Sequence, residues 1–262
     1  MRVITLLTDF GLSDGYAGIM KGVILSIAPD CQIADITHLI PPQNVLSGAL
    51  ALGNAAPYFP PDTIHVAVVD PGVGTIRRPI AARLGSHFFV GPDNGLFTIL
   101  LNRAEKAKQI VEIFHLDKNS YWLPQVSKTF HGRDIFAPVA AHLARGLSLQ
   151  QLGTAISDPI RLDIPVPQPT AAGWRGQIIH IDAFGNLATN LTSDHLRGMD
   201  SVKVRYGNLS LRNVAHTFGE GIPGEPLAIL DSAGCLSICI VNGSAAARYR
   251  ASLGDDVELI RE

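Results

Sequence analysis

The chain has 262 residues, of which 47% are hydrophobic and 17% are charged, a composition that can bury the core of one large domain or of two smaller ones and that argues against disorder. Its 21 Lys and Arg residues nearly balance its 23 Asp and Glu residues, and it has no basic run, which disfavours nucleic acid as a partner. No apolar run reaches the roughly 18 residues that a membrane span needs, and the apolar stretch before Asp9 is too short for a secretion signal, so we predict a cytoplasmic protein without a membrane partner.

The first half of the chain predicts strands that alternate with helices. Residues 2–8 and 64–69 are short, β-branched and almost continuously apolar, which is typical of strands buried on both faces of a sheet, and 78–91 predicts a β-hairpin. Apolar residues at helical spacing predict three helices: Ser13 (as N-cap) to Ala28, 44–56, and Asp134 to a C-cap at Gly146. This alternation favours an α/β domain over residues 1–165.

The second half has a different pattern. Prolines at alternating positions in 162–173 are incompatible with a helix and indicate an extended segment, so we assign 166–173 as a linker. Beyond it, Gly and Asn turns separate short apolar runs, with a tight hairpin at Gly207 and Asn208, which predicts a small all-β barrel or sandwich over 174–262. The predicted strands are 174–181, 201–206, 208–212, 226–230, 235–241 and 256–260.

Carboxylates gather where apolar strands end. Asp9 follows the first strand, Asp70 follows 64–69, and Asp93 with Asn94 follows the hairpin. Ligands of parallel α/β sheets bind beyond the carboxyl ends of the strands, so these side chains predict a shared pocket; the alternative is that each Asp only caps its own turn.

Two familiar sites are disfavoured. The glycines of DPGVG mimic the start of a dinucleotide fingerprint, but Arg77 stands at its third glycine position and a hairpin follows instead of a helix. The histidines show no metal spacing, which disfavours metal catalysis and leaves a carboxylate-bound Mg²⁺ open.

His131 lies just before the third predicted helix, where the positive end of the helix dipole favours the neutral imidazole that a hydrogen-bond relay or a general base requires. The alternative is a structural capping histidine. In the second half, Asp182 closes a strand, and the Asn186 amide can pair with the edge of an adenine ring or simply complete an Asx turn. Ser232 is exposed at a similar bend.

Seven stretches in order carry a resemblance that spans residues 5 to about 246: TDFG from Thr8, GIMKG from Gly18, DPGVGTIR from Asp70, PDNGL from Pro92, TFHGRDIFAP from Thr129, DAFGN from Asp182 and SAG from Ser232. Together they resemble the S-adenosyl-L-methionine (SAM) hydrolases, also called SAM hydroxide adenosyltransferases, which are relatives of the fluorinase and chlorinase.

The resemblance implies an N-terminal Rossmann-like α/β domain with a central, mostly parallel sheet and a C-terminal antiparallel β-barrel. It also implies a homotrimer whose active sites lie between one subunit's N-terminal domain and a neighbour's C-terminal domain. The implied reaction is the hydrolysis of SAM to adenosine and L-methionine with no cofactor, since SAM is the substrate, and with no metal.

By motif, the family's catalytic set falls on Asp70, Arg77 and His131, and Arg78 is expected to be a solvated neighbour. The implied binding roles are the ribose hydroxyls for Asp9, the methionine ammonium for Asp14 and Asp182, adenine for Asn186, adenine or the amino-acid end for Ser232, and the adenine edge, through its backbone, for Val241. Asp231 and Ala233 depart from the family pattern, which leaves the methionine carboxylate contacts open.

Two rival functions stay open at this point. A SAM halogenase carries Tyr at the position of Asp70 and lacks the histidine of TFHG, and a carboxylate there would repel the halide. A non-catalytic SAM or adenosine sensor would have no need of a proton relay built from Asp70, Arg77 and His131.

Overall fold

The structure is a computed structural model that describes residues 2–199 and 201–262. The chain divides into two compact units, one ending at Asp163 and the other beginning at Ile164. Part of the predicted linker is a strand: β8 (Gln168–Thr170) pairs with the following strand, and Pro169 is tolerated there because β8 has a partner on one side only.

The first unit contains a seven-stranded sheet in the order β2-β1-β3-β5-β4-β6-β7. Strands β2, β1, β3 and β5 are parallel neighbours, and β6 runs in the same direction because it is antiparallel to β4, which is itself antiparallel to β5. Five of the seven strands therefore run the same way, which confirms the predicted mostly parallel sheet. The bounds are β1 Val3–Thr8, β2 Gln32–Thr37, β3 Ile64–Val68, β4 Pro79–Leu84, β5 His87–Pro92, β6 Val111–His115 and β7 Thr154–Ala155.

Helices cover both faces of this sheet. They are α1 Tyr16–Ile27, α2 Val45–Ala55, α3 Thr98–Lys106, α4 Ala137–Ala144 and α5 Leu149–Leu152, with 3₁₀ turns at Ala56–Tyr58 and Asn119–Tyr121. Side chains of α1 and α4 pack against Ile4 and Leu6 of β1, whereas those of α2 and α3 pack with Leu7 on the opposite face. Successive strand residues point to opposite faces, which explains the continuously apolar sequence of β1.

Two helix starts differ from the prediction. Helix α1 begins after Gly15 without a side-chain cap, so Ser13 is not its N-cap. The third predicted helix begins earlier, because a π-helical turn at Gly132–Phe136 precedes α4. The Asn44 side chain accepts the Ser47 N–H and caps α2.

The second unit is an antiparallel sheet in the order β12-β11-β15-β9-β10-β14-β13, with β8 paired to β9. An isolated bridge between Ala215 and Ile229 joins the segment after β12 to β13, so the sheet is nearly closed, as the predicted barrel requires. Its strands are β9 Gly173–Ile181, β10 Leu187–Thr192, β11 Val202–Tyr206, β12 Leu209–Arg212, β13 Pro226–Leu230, β14 Cys235–Ile240 and β15 Asp256–Arg261. Short helices lie at α6 Ser193–Leu196 and α7 Ala245–Tyr249, with a 3₁₀ turn at Phe218–Glu220. Across the described residues of both units, no helix combines the length and apolar character needed to cross a membrane.

Candidate active site

The candidate site of the first unit lies at the carboxyl edge of its parallel strands. Asp9 follows β1 and Asp70 follows β3, and these two strands are hydrogen-bonded neighbours that run in the same direction. The loop from Asp70 to Arg77 crosses this edge and joins β3 to the β4–β5 hairpin.

Gly74 allows this loop to approach the segment before His131. Its φ of +76° lies in the left-handed region, and a Cβ there would stand 2.2 Å from the Lys128 carbonyl oxygen. Only glycine fits such an approach, which carries Arg77 toward His131.

Arg77 joins the other two predicted catalytic residues. Its Nε lies 3.0 Å from Asp70 Oδ1, and its Nη2 lies 2.5 Å from Asp70 Oδ2 and 2.9 Å from His131 Nδ1. The Asp70 and Arg77 side chains are only 5% and 7% exposed, so the ion pair is shielded from water and from salt. The structure thus links the three side chains in one hydrogen-bonded chain with the guanidinium at its centre.

His131 is neutral in this arrangement. A guanidinium N–H can only donate, so Nδ1 accepts and the ring proton lies on Nε2. Burial and the neighbouring Arg77 charge lower the pKa of His131 below its usual value, and the Asp70 and Asp134 carboxylates with a backbone hydrogen bond at Ser127 oppose this only in part. The backbone of His131 is already helical (φ −62°, ψ −23°), so this residue begins the helix. The sequence predicts instead that His131 lies outside the helix, just before its start.

One donor of Arg77 has no protein partner. Its Nη1 is buried without a hydrogen bond, while the guanidinium carbon lies 5.2 Å from the centre of the Phe136 ring. A buried, unpaired guanidinium N–H is costly, so Nη1 is a donor that a water molecule or a ligand oxygen could satisfy.

Asp9 and Asp14 both lie in the segment between β1 and α1. Asp9 is half-buried, and its Oδ2 accepts the Gln43 N–H at 2.8 Å, which leaves Oδ1 free for a ligand. Gln43 has a φ of +63°, a left-handed backbone that is rare for this residue type. Asp14 is exposed in the preceding loop.

Arg78 is not the solvated neighbour expected from its sequence position. Its guanidinium pairs with Asp93 (2.7 Å) and Asp158 (2.9 Å) and donates to the Asp158 carbonyl. The Asp93 carboxylate is 1% exposed and also accepts the Ile160 N–H, so it ties segments together and is not available to a ligand. The amide of Asn94 likewise donates to the Val69 carbonyl.

Sequence reasoning missed a second buried network beneath the Asp9 loop. Thr8 Oγ1 accepts the Phe10 N–H and lies 2.8 Å from Nδ1 of the buried His38, whose Nε2 is 3.2 Å from an Asp35 oxygen. Burial raises the pKa of the Asp35 carboxyl group, but the hydrogen bond from Lys21 and the nearby His38 ring outweigh it, so that pKa lies below its usual value. No sequence motif signals this network, because Thr8 and His38 are 30 residues apart.

The second unit holds the remaining predicted residues. Asp182 Oδ1 accepts the Phe184 and Asn186 N–H groups, and Asn186 Nδ2 donates to Asp182 Oδ2 at 2.8 Å. The Asx turn and the candidate binding pair are thus one structure, in which the side-chain Oδ1 of Asn186 and the second hydrogen of its Nδ2 stay free for a ligand.

Asn186 and Val241 line a cavity of about 490 Å³ together with the exposed Phe184 and with Phe218. Val241 N–H donates to the Glu225 carbonyl, and its own carbonyl accepts the Gly224 N–H, so Val241 presents its side chain to the cavity more than its backbone. Two planar rings and an amide beside a mostly apolar wall suit a flat, heteroaromatic ligand.

Ser232 is exposed in the turn between β13 and β14 and does not line that cavity. The departure at Asp231 has a local role: its carboxylate accepts the Ala233 and Cys235 N–H groups and the Ser237 hydroxyl. Among the residues that the structure describes, no group of three or more His, Cys, Asp or Glu side chains is placed to hold a metal ion.

Comparison with known proteins gives one consistent family. Residues 4–153 match the family model of the SAM hydroxide adenosyltransferase N-terminal domain, and residues 176–258 match that of the C-terminal domain. An (R)-S-adenosyl-L-methionine hydrolase of Salinispora tropica is 40% identical over 256 residues, covering 96% of this chain and 95% of that protein. A fluorinase of Actinopolyspora mzabensis is 27% identical, covering 99% and 97%. A crystal structure of an uncharacterized conserved protein from Thermotoga maritima superposes with a TM-score of 0.89 at 38% identity, covering 98% of this chain and all of that one.

Proposed function

Since the chain belongs to the SAM hydroxide adenosyltransferase family, we propose that it hydrolyses SAM to adenosine and L-methionine. The observation that carries the proposal is the hydrogen-bonded chain Asp70–Arg77–His131 with its buried, unpaired Arg77 Nη1. A protein that only bound SAM would gain nothing from burying this ion pair beside a neutral imidazole, since such pairs are costly to desolvate.

In this proposal Asp70 accepts the proton of the attacking water. Both imidazole nitrogens are occupied, Nδ1 by the Arg77 donor and Nε2 by its own proton, so His131 is not free to act as the base while the Arg77 hydrogen bond lasts. Arg77 Nη1 is the donor left to hold the water oxygen. The water oxygen bonds to C5′ of the ribose, the C5′–S electron pair passes to sulfur, and the proton goes to Asp70 and then to solvent.

The leaving group needs no acid. Methionine departs neutral at sulfur, because the sulfonium loses its positive charge as the C5′–S bond breaks. The site has only to align the water about 3 Å from C5′ and to accept one proton. We therefore propose a reaction without a cofactor or a metal.

Recognition is divided between the units in this proposal, with chemistry in the first and most of the substrate contacts in the second. Asp9 Oδ1 takes ribose hydroxyls, Asp14 and Asp182 face the methionine ammonium, and Asn186 reads adenine. Val241 packs against the adenine ring in the same cavity as Asn186, and Ser232 contacts the amino-acid end from its exposed turn.

We also propose a cytoplasmic homotrimer whose sites form between neighbouring subunits. Each half-site carries a large exposed apolar side chain that a neighbour would cover. Ile76, beside Arg77, is fully exposed, and Phe184, between Asp182 and Asn186, is 78% exposed. In the proposed trimer a neighbouring chain would remove the apolar surface of both side chains from water.

The test is incubation of the purified protein with SAM, with separation of products by chromatography. The hydrolase of Salinispora tropica is named for the (R) epimer at sulfur, so the substrate should be a mixture of the two sulfonium epimers. We expect adenosine and methionine in equal amounts, drawn from the (R) epimer, at a rate unchanged by EDTA. If no adenosine forms from either epimer, the proposal is overturned. Formation of 5′-chloroadenosine in the presence of added chloride would instead identify a halogenase.

A further inference from the structure

A buried carboxylate outside the three predicted catalytic residues closes the loop in which His131 lies. The Asp134 side chain has no exposed surface, and its Oδ2 accepts the Ser127 N–H at 2.8 Å. Arg133 donates to both carboxylate oxygens, at 2.6 and 3.1 Å. Every lone-pair direction that the carboxylate uses therefore points to residues on either side of His131.

The backbone around His131 is held at further points. The Ser127 hydroxyl accepts the Phe130 N–H at 3.0 Å, and the Asp134 carbonyl accepts the Leu123 N–H at 2.9 Å. The Phe130 carbonyl accepts two N–H groups, those of Arg133 and Asp134. His131 is thus a residue of a ring of chain that runs from 127 to 134 and is closed by the Asp134 side chain.

Asp134, whose side chain closes the ring, lies within the π-helical turn at Gly132–Phe136. A π turn carries one more residue than an α turn, and such turns are frequent at functional sites. The turn is packed tightly, since a Cβ on Gly132 would lie 3.2 Å from the Met20 sulfur and 3.3 Å from the Phe130 ring.

We propose that Asp134 is the positioning residue for His131, holding its Nδ1 against Arg77 by closing the 127–134 ring. Asp134 does not touch the reacting atoms in this role, and it acts only through the imidazole. The kinetic readout of this proposal rests on the proposed hydrolysis. A wild-type protein without hydrolase activity would refute the proposed function, whereas an active wild type with unaffected variants would refute only the positioning role of Asp134.

The test is a double-mutant cycle between Asp134→Asn and His131→Ala, in the full-length protein, with kcat and KM for SAM measured for each variant. We expect Asp134→Asn alone to lower kcat about 10-fold with KM within about 2-fold, since misplacing one reacting group costs rate more than affinity. In the His131→Ala background the same change should cost nothing further, because the residue it positions is gone.

The matched control is Arg133→Gln, which removes the ion pair but keeps the bond from the Ser127 N–H to Asp134. We expect it to lower the melting temperature and to leave kcat within about 2-fold. Asp134→Asn with wild-type kcat, or with a loss that is equally large without His131, would overturn the proposal.

Should Asp134→Asn fail to fold, Ser127→Ala tests the same ring. It removes the hydroxyl that accepts the Phe130 N–H and hydrogen-bonds to the Asp134 carboxylate, and we expect a kcat loss of about 3-fold that again vanishes in the His131→Ala background. Wild-type kcat in Ser127→Ala would then contradict the proposal.

Discussion

In the proposed mechanism the chemistry of the first unit converges on Arg77, since its guanidinium binds both Asp70 and His131 and keeps the two N–H groups of Nη1 free. Asp70→Asn keeps the shape of the side chain but removes the proton acceptor. We expect it to lower kcat for adenosine release by about 10²-fold or more, with little change in the Kd for SAM. His131→Ala should act in the same direction.

Product chromatography and isothermal calorimetry on the same Asp70→Asn preparation check this. The control is Asp158→Asn, an exposed carboxylate that pairs with Arg78 at the neighbouring position, which should leave kcat unchanged. Near wild-type turnover by Asp70→Asn would mean that another group takes the proton.

In the proposed function, Asn186 contributes to substrate binding and not to the chemical step. Asn186→Ala removes the free amide atoms from the cavity wall and should weaken SAM binding by about 1–3 kcal/mol, because ring nitrogens buried there lose their partner. Calorimetry with Asn54→Ala, an exposed position on α2, provides the baseline. An unchanged Kd for Asn186→Ala would assign adenine recognition to other residues.

Sequence motifs named three side chains that the structure brings together, and residue-level prediction stopped where tertiary pairing decides. Asp70, Arg77 and His131 were named by motif, yet Arg78 was expected in solvent and is instead held by Asp93 and Asp158. Position 158 is 80 residues away, and nothing in the local pattern connects it to Arg78.

At the scale of elements, the sequence predicts strands that are apolar throughout, such as β3, and several strands that alternate, such as β11 and β12, whereas β2, β6 and β10 are among those it misses. Strand β10 (LATNLT) buries every second residue, but its Thr and Asn residues conceal the alternation. Strand β2 was missed because its side chains are only partly buried at the sheet edge. The π turn could not be predicted, since its sequence differs in no simple way from that of an α-helical start.

Arg78 connects the hairpin to the segment 158–160. We expect this connection to contribute measurably to the free energy of unfolding. Arg78→Ala leaves the buried Asp93 carboxylate with one backbone donor, and we expect a loss of about 3 kcal/mol in the free energy of unfolding by urea. Lys118→Ala breaks an exposed pair of 3.9 Å with Asp117 and should cost less than about 1 kcal/mol. Equal effects of the two changes would show that the Arg78 pair is no stronger than a surface one.

Strand β3 carries a buried histidine that should make stability depend on pH. Burial and the neighbouring His87 lower the pKa of His65 to about 3, whereas the unfolded chain has the ordinary 6.5. The unfolded state thus binds a proton first as the pH falls, so this contribution is complete above pH 6.5 and is lost between 6.5 and about 3. From pH 6.5 to 4 the loss is about 3 kcal/mol.

Urea unfolding at several pH values checks this prediction. His65→Gln should flatten the fall in stability below pH 6.5, while His216→Gln, at an exposed position, should leave the slope as it is. An identical slope in His65→Gln and the wild type would assign the acid sensitivity to other groups, such as His87, His131 and His142, whose pKa values are also lowered.

At the scale of the whole molecule, the proposed trimer ties assembly to activity. Sedimentation should give three times the chain's 28.0 kDa. Ile76→Glu places a charge on a side chain that the neighbour would bury, and it should shift the protein toward monomer and lower kcat in parallel. Tyr58→Glu, at another strongly exposed position near the opposite edge of the sheet, should do neither. A monomer that still hydrolyses SAM at the wild-type rate would refute the trimer.

The π turn has a consequence for how this gene can vary. Each α-helical residue advances about 100° around the helix axis, so deleting one codon within Gly132–Phe136 would let an ordinary helix form and rotate one end of it by that angle. The buried face of α4 (Val139, Ala140 and Leu143) is fixed in the core, so the rotation would fall on His131 and carry its ring away from Arg77. We therefore expect the deletion of a single residue from this segment to misplace His131, so the length of the segment constrains its evolution as well as its composition does.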